Sequence, residues 1–568
     1  MLRPWITCCG WLWLLAGLVL AGRAEAQTAP VAHWASSWGT AGDDRHTHIA
    51  RDGVGNAFTA GWTQPAPAQP LRLNVLKHDA QGQQLWAQQW SCAGGTIEPW
   101  GIAVDGSGNV WVAGLFGEAY WGTPGVAHTV TFGTTTLTAT NRSSEIFLVK
   151  FDPAGQVLWA RQTQSAFKSI CSGLAVDAAG NAYLTGTTDQ NARFGALTVS
   201  TSGNGQLAFV ARYDAQGDAK WVQAVGNGEL NKIAVDAAGT CCLAGAAHTS
   251  FTLGGVPITA VFGGAPTGFL ARLDAQGQVL WARQLPSPAA LLAVTPSGAI
   301  WTAQQITAPV TYGSQAFVPV GRDDVLCLSF SAQGAYQWGR QFGGGTTTIG
   351  NSDSPLAVTV DAAGNSYFVL GLLGLITLTQ PSGLTNYTQF LVSLSPTGTT
   401  RWARSMLAGG AQAVTVAAAD DLWVAGAAYS PVRFDGINLT CQGPSDGYTA
   451  RLGDPLSAPT PTPPTPTPPT PTPPTPTPPT PTSPTPGTVF IPNVFTPNGD
   501  GHNDTFAPAN LPAGAWQLHI YSRWGRLVYQ TANYQSDWSA EGLAAGLYYY
   551  RLEATGQLPY QGWVEVVR

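Results

Sequence analysis

The sequence predicts an all-β protein: a seven-bladed β-propeller followed by a Pro/Thr linker and a small immunoglobulin-like β-sandwich. Three observations support this fold class: a turn-and-strand motif that returns seven times, a Pro/Thr tract after it, and a terminal segment of short alternating strands. A chain of 568 residues is also too long for one ordinary core. We expect a signal peptide (1–26), the propeller (27–456), the linker (457–487) and a C-terminal domain (488–568).

Composition narrows the class of protein further. Charged residues make up only 10% of the chain, against about a quarter in typical domains, while hydrophobic residues make up 44%. The low charge is therefore not a sign of disorder, and the 67 glycines indicate many tight turns. A net charge of −6 excludes a nucleic-acid partner, which would need a basic surface.

The first 26 residues have the pattern of a secretory signal peptide. Arg3 supplies a positive end, residues 11–20 are apolar, and an Ala-x-Ala motif predicts cleavage between Ala26 and Gln27. An apolar run of about ten residues is too short to span a bilayer comfortably, although a retained anchor helix is the alternative. No later stretch is long enough, so no integral membrane segment is expected in the mature chain.

The cysteines beyond the predicted cleavage site are scattered and show no Cys-x-x-Cys spacing. This pattern argues against a zinc site and against a dense disulfide framework. We interpret these residues as small core hydrophobes, with some pairing open to them outside the cytoplasm. They are Cys92, Cys171, Cys241, Cys242, Cys327 and Cys441.

A turn followed by a strand recurs at intervals of roughly 55 to 70 residues, and such periodicity indicates a repeat architecture. In the clearest copies an Asp opens the turn and a Gly closes it. Because Asp bonds the backbone ahead of it and Gly tolerates positive φ, these carboxylates are predicted to be structural. The copies begin at Asp105, Asp177, Asp236 and Asp361, with weaker ones at Asp52, Thr295 and Ala418.

A second motif, in which a strand, a turn and a Trp-bearing strand follow one another, has six whole copies and one divided copy. The last copy stops after Arg451 without its Trp, while Trp34 near the start of the chain has no strand before it. Four short strands per repeat, placed radially, make a propeller. The divided copy predicts that the N-terminal strand completes the last blade; an open row of sheets, with unpaired edges, is the alternative.

Seven Trp residues recur at the same position of this motif, and we expect each to pack against the neighbouring blade. They are Trp34, Trp86, Trp159, Trp221, Trp281, Trp338 and Trp402. The repeats resemble the bacterial β-propeller repeat family of secreted proteins over residues 31–453. They are also similar to the repeats of quinoprotein dehydrogenases, and Cys241 with Cys242 is similar to the adjacent cysteines of some of those enzymes, but the usual Thr-Gly pair and the eighth copy are missing.

The connections divide by length, which predicts where a ligand binds. Turns after the first and third strands are short and alike, whereas the loops after the second strand and between blades are long and unlike each other. Alternate connections fall on opposite faces of the ring, so one face should be irregular. Variable loops on a rigid scaffold are the usual seat of recognition, and a glycan or a protein is the expected ligand there.

Few residues suggest chemistry. His46 and His48 have strand spacing that places both rings on one face, where they could hold a metal, with a capping pair as the alternative. No hydrolase, zincin or phosphate-loop motif is present, so we predict no catalytic residue, no cofactor and no metal. The alternative is an extracellular propeller enzyme, a hydrolase or a quinone-dependent dehydrogenase, with a site on the loop face.

The C-terminal segment contains two short motifs that are close in order and content to a known export signal. The motif residues are Asn493, Phe495, Thr496, Pro497, Asn498, Gly499, Asp500, Gly501, Asn503, Asp504, Tyr521, Arg523, Trp524, Gly525, Val528 and Tyr529. They resemble the gliding-motility-associated C-terminal domain, the type B sorting domain of type IX secretion substrates. The resemblance implies that the type IX translocon and its sorting machinery are partners, and that the protein crosses the periplasm and outer membrane to the cell surface or medium.

The sequence also predicts the local structure of the C-terminal segment and of the Pro/Thr linker before it. Alternating runs at 517–521, 526–530, 546–553 and 562–567 predict a small antiparallel sandwich that resembles an immunoglobulin-like fold. Oxygen ligands at alternate positions of 498–504 could hold calcium, with a tight turn as the alternative. The Pro/Thr linker can only extend as polyproline II, reaching roughly 90 Å at about 3.1 Å per residue.

Overall fold

The structure is a computed structural model that describes two β units. The described residues run from 29 to 567, without 67–68, 118–126, 140–143, 166–168, 189–190, 201–206, 261–265, 345–351, 373–387, 407–409, 430–431, 454–488, 490, 493, 499–502, 513, 523–525 and 555–558. The predicted signal peptide with its Ala26–Gln27 cleavage site and the linker 457–487 lie outside them. Contact clustering divides the chain into Met1–Pro463 and Pro464–Arg568.

Described secondary structure in the first unit consists of β-strands, beginning with β1 (Val31–Trp38). The first blade contains β2 (Asp43–Arg51), β3 (Ala57–Gln64), β4 (Arg72–His78) and β5 (Gln84–Ser91). The second contains β6 (Thr96–Val104), β7 (Val110–Gly117), β8 (His128–Phe132), β9 (Thr135–Ala139), β10 (Ser144–Phe151) and β11 (Val157–Gln164). The third contains β12 (Ser169–Val176), β13 (Ala182–Thr188), β14 (Ala192–Phe194), β15 (Leu197–Val199), β16 (Leu207–Tyr213) and β17 (Ala219–Gly226).

The remaining four blades continue the same series. The fourth contains β18 (Gly228–Val235), β19 (Cys241–Ala247), β20 (Phe251–Leu253), β21 (Val256–Ile258), β22 (Thr267–Leu273) and β23 (Val279–Leu285). The fifth contains β24 (Ala289–Val294), β25 (Ile300–Ile306), β26 (Val310–Tyr312), β27 (Gln315–Phe317), β28 (Asp324–Phe330) and β29 (Tyr336–Phe342). The sixth contains β30 (Ser354–Val360), β31 (Ser366–Leu372), β32 (Thr388–Leu394) and β33 (Thr400–Ser405), and the seventh β34 (Gly410–Ala418), β35 (Asp421–Ala428), β36 (Val432–Phe434), β37 (Ile437–Leu439) and β38 (Asp446–Gly453).

Each blade has an antiparallel sheet with four main strands, and the described residues contain seven such sheets. The sheet of the second blade reaches six strands, because hairpin β14–β15 of the third blade pairs with β11. The innermost strands β2, β6, β12, β18, β24, β30 and β34 each contact the next, and β34 contacts β2, so they form a closed ring. Apolar residues on both faces of the second and third strands fill the spaces between blades, which is why those strands read as nearly continuous hydrophobic runs. The predicted all-β propeller is confirmed.

The two ends of the repeat region meet in the seventh blade, whose strand order is β1-β38-β35-β34. Strand β1 pairs antiparallel with β38, and Trp34 lies opposite Arg451. Both side chains donate to the same carbonyl in the first blade: Trp34 Nε1 is 3.1 Å and Arg451 Nη1 3.0 Å from Ala80 O. The divided copy of the second motif is therefore joined in space as its sequence indicates.

Outer tryptophans connect consecutive blades. Trp159 Nε1, for example, donates to Ala215 O of the next blade at 3.2 Å, and its ring covers Gly217, where an added Cβ would lie 3.0 Å from the indole. Trp34, Trp86, Trp221, Trp281 and Trp338 make the same hydrogen bond to the turn that follows. Trp402 differs, because its Nε1 donates to Asp420 Oδ1 at 2.7 Å.

The loops after the second strand are less irregular than their sequences predict. Five blades carry a β-hairpin there, formed by β8–β9, β14–β15, β20–β21, β26–β27 and β36–β37. Each has a two-residue turn that opens with a positive-φ residue, as in Gly133 and Asp435. The prediction that these loops are unlike each other is wrong for their hairpin portions, whereas much of the chain between hairpin and blade lies outside the described residues.

The C-terminal unit contains one five-stranded sheet in its described residues, ordered β39-β43-β42-β40-β41. Its strands are β39 (Val494–Phe495), β40 (Gln517–Ser522), β41 (Leu527–Thr531), β42 (Gly546–Glu553) and β43 (Tyr560–Val566). Strand β39 runs parallel to β43, and the other pairs are antiparallel. The layer covering this sheet is built from segments without strands, so the immunoglobulin-like resemblance stays a prediction.

Candidate functional site

One end of every blade carries the Asp turns, and we call it the turn end; the opposite end, with the hairpins, is the loop end. At the turn end Asp105 Oδ1 accepts the backbone N–H groups of Ser107 and Asn109, both at 3.0 Å. Its other oxygen accepts Trp111 Nε1 at 3.2 Å and forms a buried ion pair with Lys150 at 3.1 Å. This carboxylate is fully engaged in holding its blade together.

Burial alone would raise the pKa of Asp105, but hydrogen bonds from Asn109, Trp111 and Lys150 outweigh it and hold the pKa below its usual value. Asp52 and Asp236 accept the same two backbone N–H groups of their turns, and Asp177 and Asp361 accept one of them, from Asn181 and Asn365. The structure thus places these repeated carboxylates inside turns, as the sequence predicts.

Carboxylates at the loop end have a different environment. Asp44 accepts the N–H and the hydroxyl of Thr40, yet its Oδ1 has no partner among the described residues. Burial raises the pKa of Asp44 to about 6, and the neighbouring charges of Asp446 and Asp43 add to this rise. Burial likewise raises the pKa of Asp324, which accepts from Gln341 Nε2 and the N–H of Val320.

All seven innermost strands carry a register shift at the same height. One extra residue stands at each shift, and a β-bulge of this kind re-aims the side chains around it. The extra residues are Thr47, Trp100, Ser172, Asn231, Ala290, Leu356 and Gln412. Two of them bridge neighbouring blades, since Ser172 Oγ donates to Leu230 O and Asn231 Nδ2 to Ala289 O at 3.1 Å.

The bulge at Thr47 contradicts the predicted histidine pair. His46 and His48 are on opposite sides of the register shift, so their rings do not share a face. His46 is buried and stacks on Trp38, with ring centroids 6.2 Å apart, whereas His48 lines the centre of the ring. Among the described residues no group of three or more His, Cys, Asp or Glu side chains is placed to hold a metal.

The innermost strands enclose a central channel with a cavity of about 270 Å³. Its wall is mostly aliphatic, with Ile102, Leu174, Ile233, Leu292 and Val414 at equivalent positions of different blades. Two lining residues are ionisable, His48 and Lys232, and Gln412 adds an amide. The sequence does not predict that Lys232 and Gln412 line the channel, because a single polar residue in a strand of polar and apolar residues does not show which way it faces.

Both ionisable groups of the channel are desolvated. Burial, helped by the charge of Lys232, lowers the pKa of His48 to about 3, so its ring is neutral. That ring is held by Thr47 Oγ1, 2.9 Å from Nδ1, and by a hydrogen bond to the backbone of Trp100. Burial also lowers the pKa of Lys232, whose ammonium forms no hydrogen bond or ion pair with a described residue.

The adjacent cysteines occupy ordinary strand positions. Cys241 faces the core between the third and fourth blades and Cys242 the core between the fourth and fifth, on opposite sides of β19. Both are free and fully buried, and burial raises the pKa of the Cys242 thiol to about 12. Within the described residues the other four cysteines are free as well, and only Cys441 keeps partial exposure.

In the C-terminal unit the described sorting-motif residues divide between core and surface. Phe495 is buried and stacks on Trp538 at 5.3 Å, and Tyr529 lies 6.1 Å from the same indole. Asp504 Oδ1 accepts the N–H of Asn498 at 3.0 Å, closing the loop between them.

Some of the remaining predicted motif residues are described by the structure and others are not. Thr496 N–H donates to Asn503 O at 2.7 Å, Pro497 lies in the same loop, and Val528 packs against the core. Asn493, Gly499, Asp500, Gly501, Arg523, Trp524 and Gly525 lie outside the described residues, as does most of the predicted calcium loop. The sequence interpretation did not single out Phe506, Trp516, Tyr534 and Trp538, which form the centre of this core.

One face of the C-terminal sheet presents a row of large side chains. Leu527 pairs with Tyr521, Tyr521 with Tyr549, and Tyr549 with Trp563 across four adjacent strands. Three of them are well exposed: Leu527 at 41%, Tyr549 at 40% and Trp563 at 44%. We call these four residues the aromatic row. Among the described residues of the sorting motif, Tyr521 is the one that belongs to the aromatic row.

Fold and sites together define a β-propeller protein with a separate C-terminal β domain. Comparison with known families makes this specific. Residues 489–566 match the CHU_C Type IX secretion signal domain, and residues 158–191 match the β-propeller repeat named SBBP. The chain therefore combines β-propeller repeats with a C-terminal type IX secretion signal domain, which indicates export to the cell surface or the extracellular space. Its partners therefore include the type IX secretion machinery.

Comparisons with whole proteins add little beyond the fold. A search of curated proteins finds no match. Among solved structures, U3-55K is 8% identical with a TM-score of 0.43, covering 75% of this chain and 100% of its own. The Dos1 propeller is 9% identical with a TM-score of 0.34, covering 73% and 95%. XC5397 from Xanthomonas campestris, described as a gluconolactonase, is 13% identical with a TM-score of 0.31, covering 76% and 99%. In the described part of the chain no helix is long and apolar enough to cross a membrane.

Proposed function

We propose that the propeller is a non-catalytic binding module that acts outside the cell and contacts a glycan or a protein through its loop end. The observation that supports this role is the contrast between the two ends of the blades. Turn-end carboxylates such as Asp105 and Asp361 are engaged by backbone N–H groups and buried partners. At the loop end, side chains and connections differ from blade to blade on the same rigid ring.

Hairpins extend the loop end outward without loosening it. Gln162 on β11 holds the backbone of β9 from both sides, accepting from Thr138 N–H at 2.7 Å and donating to Thr138 O at 2.8 Å. Gln284 and Gln341 bond the equivalent hairpins of the fourth and fifth blades. A surface held in this way is ordered before a ligand arrives, which reduces the entropy cost of binding.

The test is a glycan and protein screen on the purified chain, followed by exchange of one loop. Replacing residues 189–206 of the third blade by residues 307–323 of the fifth should abolish or redirect any binding that is found. The matched control replaces the turn-end residues 106–108 by the Ala-Ala-Gly of residues 178–180, which should leave binding unchanged. Binding that survives every loop exchange, or turnover of a bound substrate, would contradict the proposal and favour the enzyme alternative.

The export signal is proposed to reside in the segments 495–504 and 521–529 of the sorting domain. Phe495 and Tyr529 serve its folding, whereas Tyr521 on the aromatic row is open to recognition. Deleting residues 488–568 should leave the protein in the periplasm, and Tyr521→Ala should reduce export while the domain stays folded. Cell fractionation measures both, with Gln517→Ala, at an exposed position of the same strand, as control. Recovery of the deletion variant outside the cell would contradict the assignment.

A further inference from the structure

The central channel contains a cation that the protein itself does not neutralise. Lys232 lies on the innermost strand of the fourth blade and lines the 270 Å³ cavity. Its ammonium has no ion pair or hydrogen bond to a described residue, and no Asp or Glu is among the residues that line the channel. Lys232 is half-buried, so its ammonium loses part of its hydration without gaining a charged partner, which lowers stability.

Three other cations of the propeller are paired with turn-end carboxylates. Lys150 meets Asp105 at 3.1 Å, Arg272 meets Asp236, and Arg401 meets Asp420 at 2.6 Å. These pairs are buried at the turn end, where most repeats supply a carboxylate. No such carboxylate lines the channel around Lys232, which indicates that its counter-charge comes from outside the chain.

The surroundings of Lys232 limit the kind of anion that fits. The side chains around it are mostly aliphatic, with Leu291 from the adjacent fifth blade and Leu356 and Val358 from the sixth, and Gln412 supplies an uncharged amide with no described hydrogen-bond partner. His48 is neutral and already bonded, so it adds no second positive charge. One cation balances one negative charge, so a second charge, as on phosphate, would have no partner among mostly aliphatic side chains.

We propose that the central channel binds a small organic monocarboxylate, whose carboxylate pairs with the Lys232 ammonium while its apolar body contacts the leucine and valine side chains of the wall. The channel site is separate from the loop end, so an experiment that contradicts one proposal leaves the other unaffected. The cavity is larger than a single inorganic ion needs, which favours a ligand with a carbon body.

The experiment uses the full purified chain and two probes of the same shape, sodium benzoate and neutral benzamide, in isothermal titration calorimetry. Benzoate should bind about tenfold or more tightly than benzamide, because only benzoate forms the charged contact. Lys232→Met should weaken benzoate binding by a similar factor and leave benzamide binding unchanged. Lys220→Met is the matched control, since that lysine is 45% exposed, pairs with Asp214 and lies on an outermost strand.

A thermal melt checks separately whether Lys232→Met folds. Lys232→Met should melt at or above the temperature of the unmodified chain, because it removes an unpaired desolvated charge. If that variant does not fold, the benzoate and benzamide comparison on the unmodified chain still decides. Equal affinity for the two probes, benzoate binding unaffected by Lys232→Met, or no benzoate binding at millimolar concentration would overturn the proposal.

Discussion

The turn end and the loop end of the same blades differ in how far their contacts repeat from blade to blade. At the turn end six of the seven outer tryptophans donate to the same carbonyl of the next blade, and a positive-φ glycine lies beneath each of those indoles. At the loop end a Gln side chain bonds the hairpin in three blades, but other contacts occur in single blades, such as Asp44 with Thr40 or Gln305 with Asp353. Repetition is thus kept where the ring is assembled, and variation is confined to the end where assembly does not depend on it.

Carboxylate chemistry divides in the same way. Asp105 at the turn end has a lowered pKa, since its hydrogen bonds and Lys150 outweigh burial, and its charged form stabilises the fold. Asp44 at the loop end has a pKa raised to about 6 by burial, so its charged form destabilises the fold. The comparison predicts opposite effects for the same Asp-to-Asn change at the two ends.

The largest effect is expected for Asp105→Asn. The substitution leaves Lys150 buried without its counter-charge and turns an amide N–H₂ toward the donors Lys150 and Trp111. We expect a loss of about 3–5 kcal/mol in the free energy of unfolding, measured by urea denaturation at pH 7.5. Asp214→Asn, whose partner Lys220 is exposed, should change little; equal losses in the two variants would contradict the role assigned to the turn end.

A glycine comparison should give the next largest effect. Gly217 at the turn end has a φ of +81°, and an added Cβ would meet the Trp159 ring at 3.0 Å. Gly195 in a loop-end hairpin has a φ of +62° but open space around it. Alanine should cost about 2–3 kcal/mol at Gly217, from backbone strain plus overpacking, and about 1 kcal/mol at Gly195. Denaturant unfolding of the two variants measures both; the reverse order would exclude the packing account.

The smallest expected effect is a gain, from Asp44→Asn. Since the folded-state pKa of Asp44 is about 6, above the unfolded value of about 3.9, its contribution is fully present at pH below about 4 and is lost as pH rises through 6. Asparagine resembles the protonated form at every pH. The variant should therefore melt about 1–2 °C higher than the unmodified chain at pH 7.5 and at the same temperature at pH 4. A thermal shift series across this range tests it; a loss at pH 7.5 would contradict the sign.

The ring could be predicted from the sequence because its contacts repeat. Asp105, Gly217 and Trp159 each belong to a series, and a position that recurs at a fixed period must meet the same neighbour in every blade. Closure was predictable for the same reason, since Trp34 is the member missing from the last copy. Strand bounds in the tail also lie close to the predicted ones, because alternation there is regular.

What could not be predicted is what does not repeat in sequence. The seven bulges share a height in the ring, yet Thr47, Trp100 and Leu356 share no chemistry, and a bulge of one residue leaves no mark on hydrophobic alternation. For this reason strand alternation alone predicts, wrongly, that His46 and His48 lie on one face. The hairpins had a signal that was missed: Phe132-Gly133 and Phe194-Gly195 precede a two-residue turn and a second short strand.

The pairing of β1 with β38 sets an order of events during synthesis. Residues 31–38 are synthesised before the other strands of the propeller but have no partner until 446–453 follow, some four hundred positions later. A nascent chain therefore carries two unmatched strand edges for most of its translation, each open to pairing with another chain. Moving residues 31–38 to follow Gly453 would remove that wait, because every blade would then be complete as soon as its own four strands had emerged.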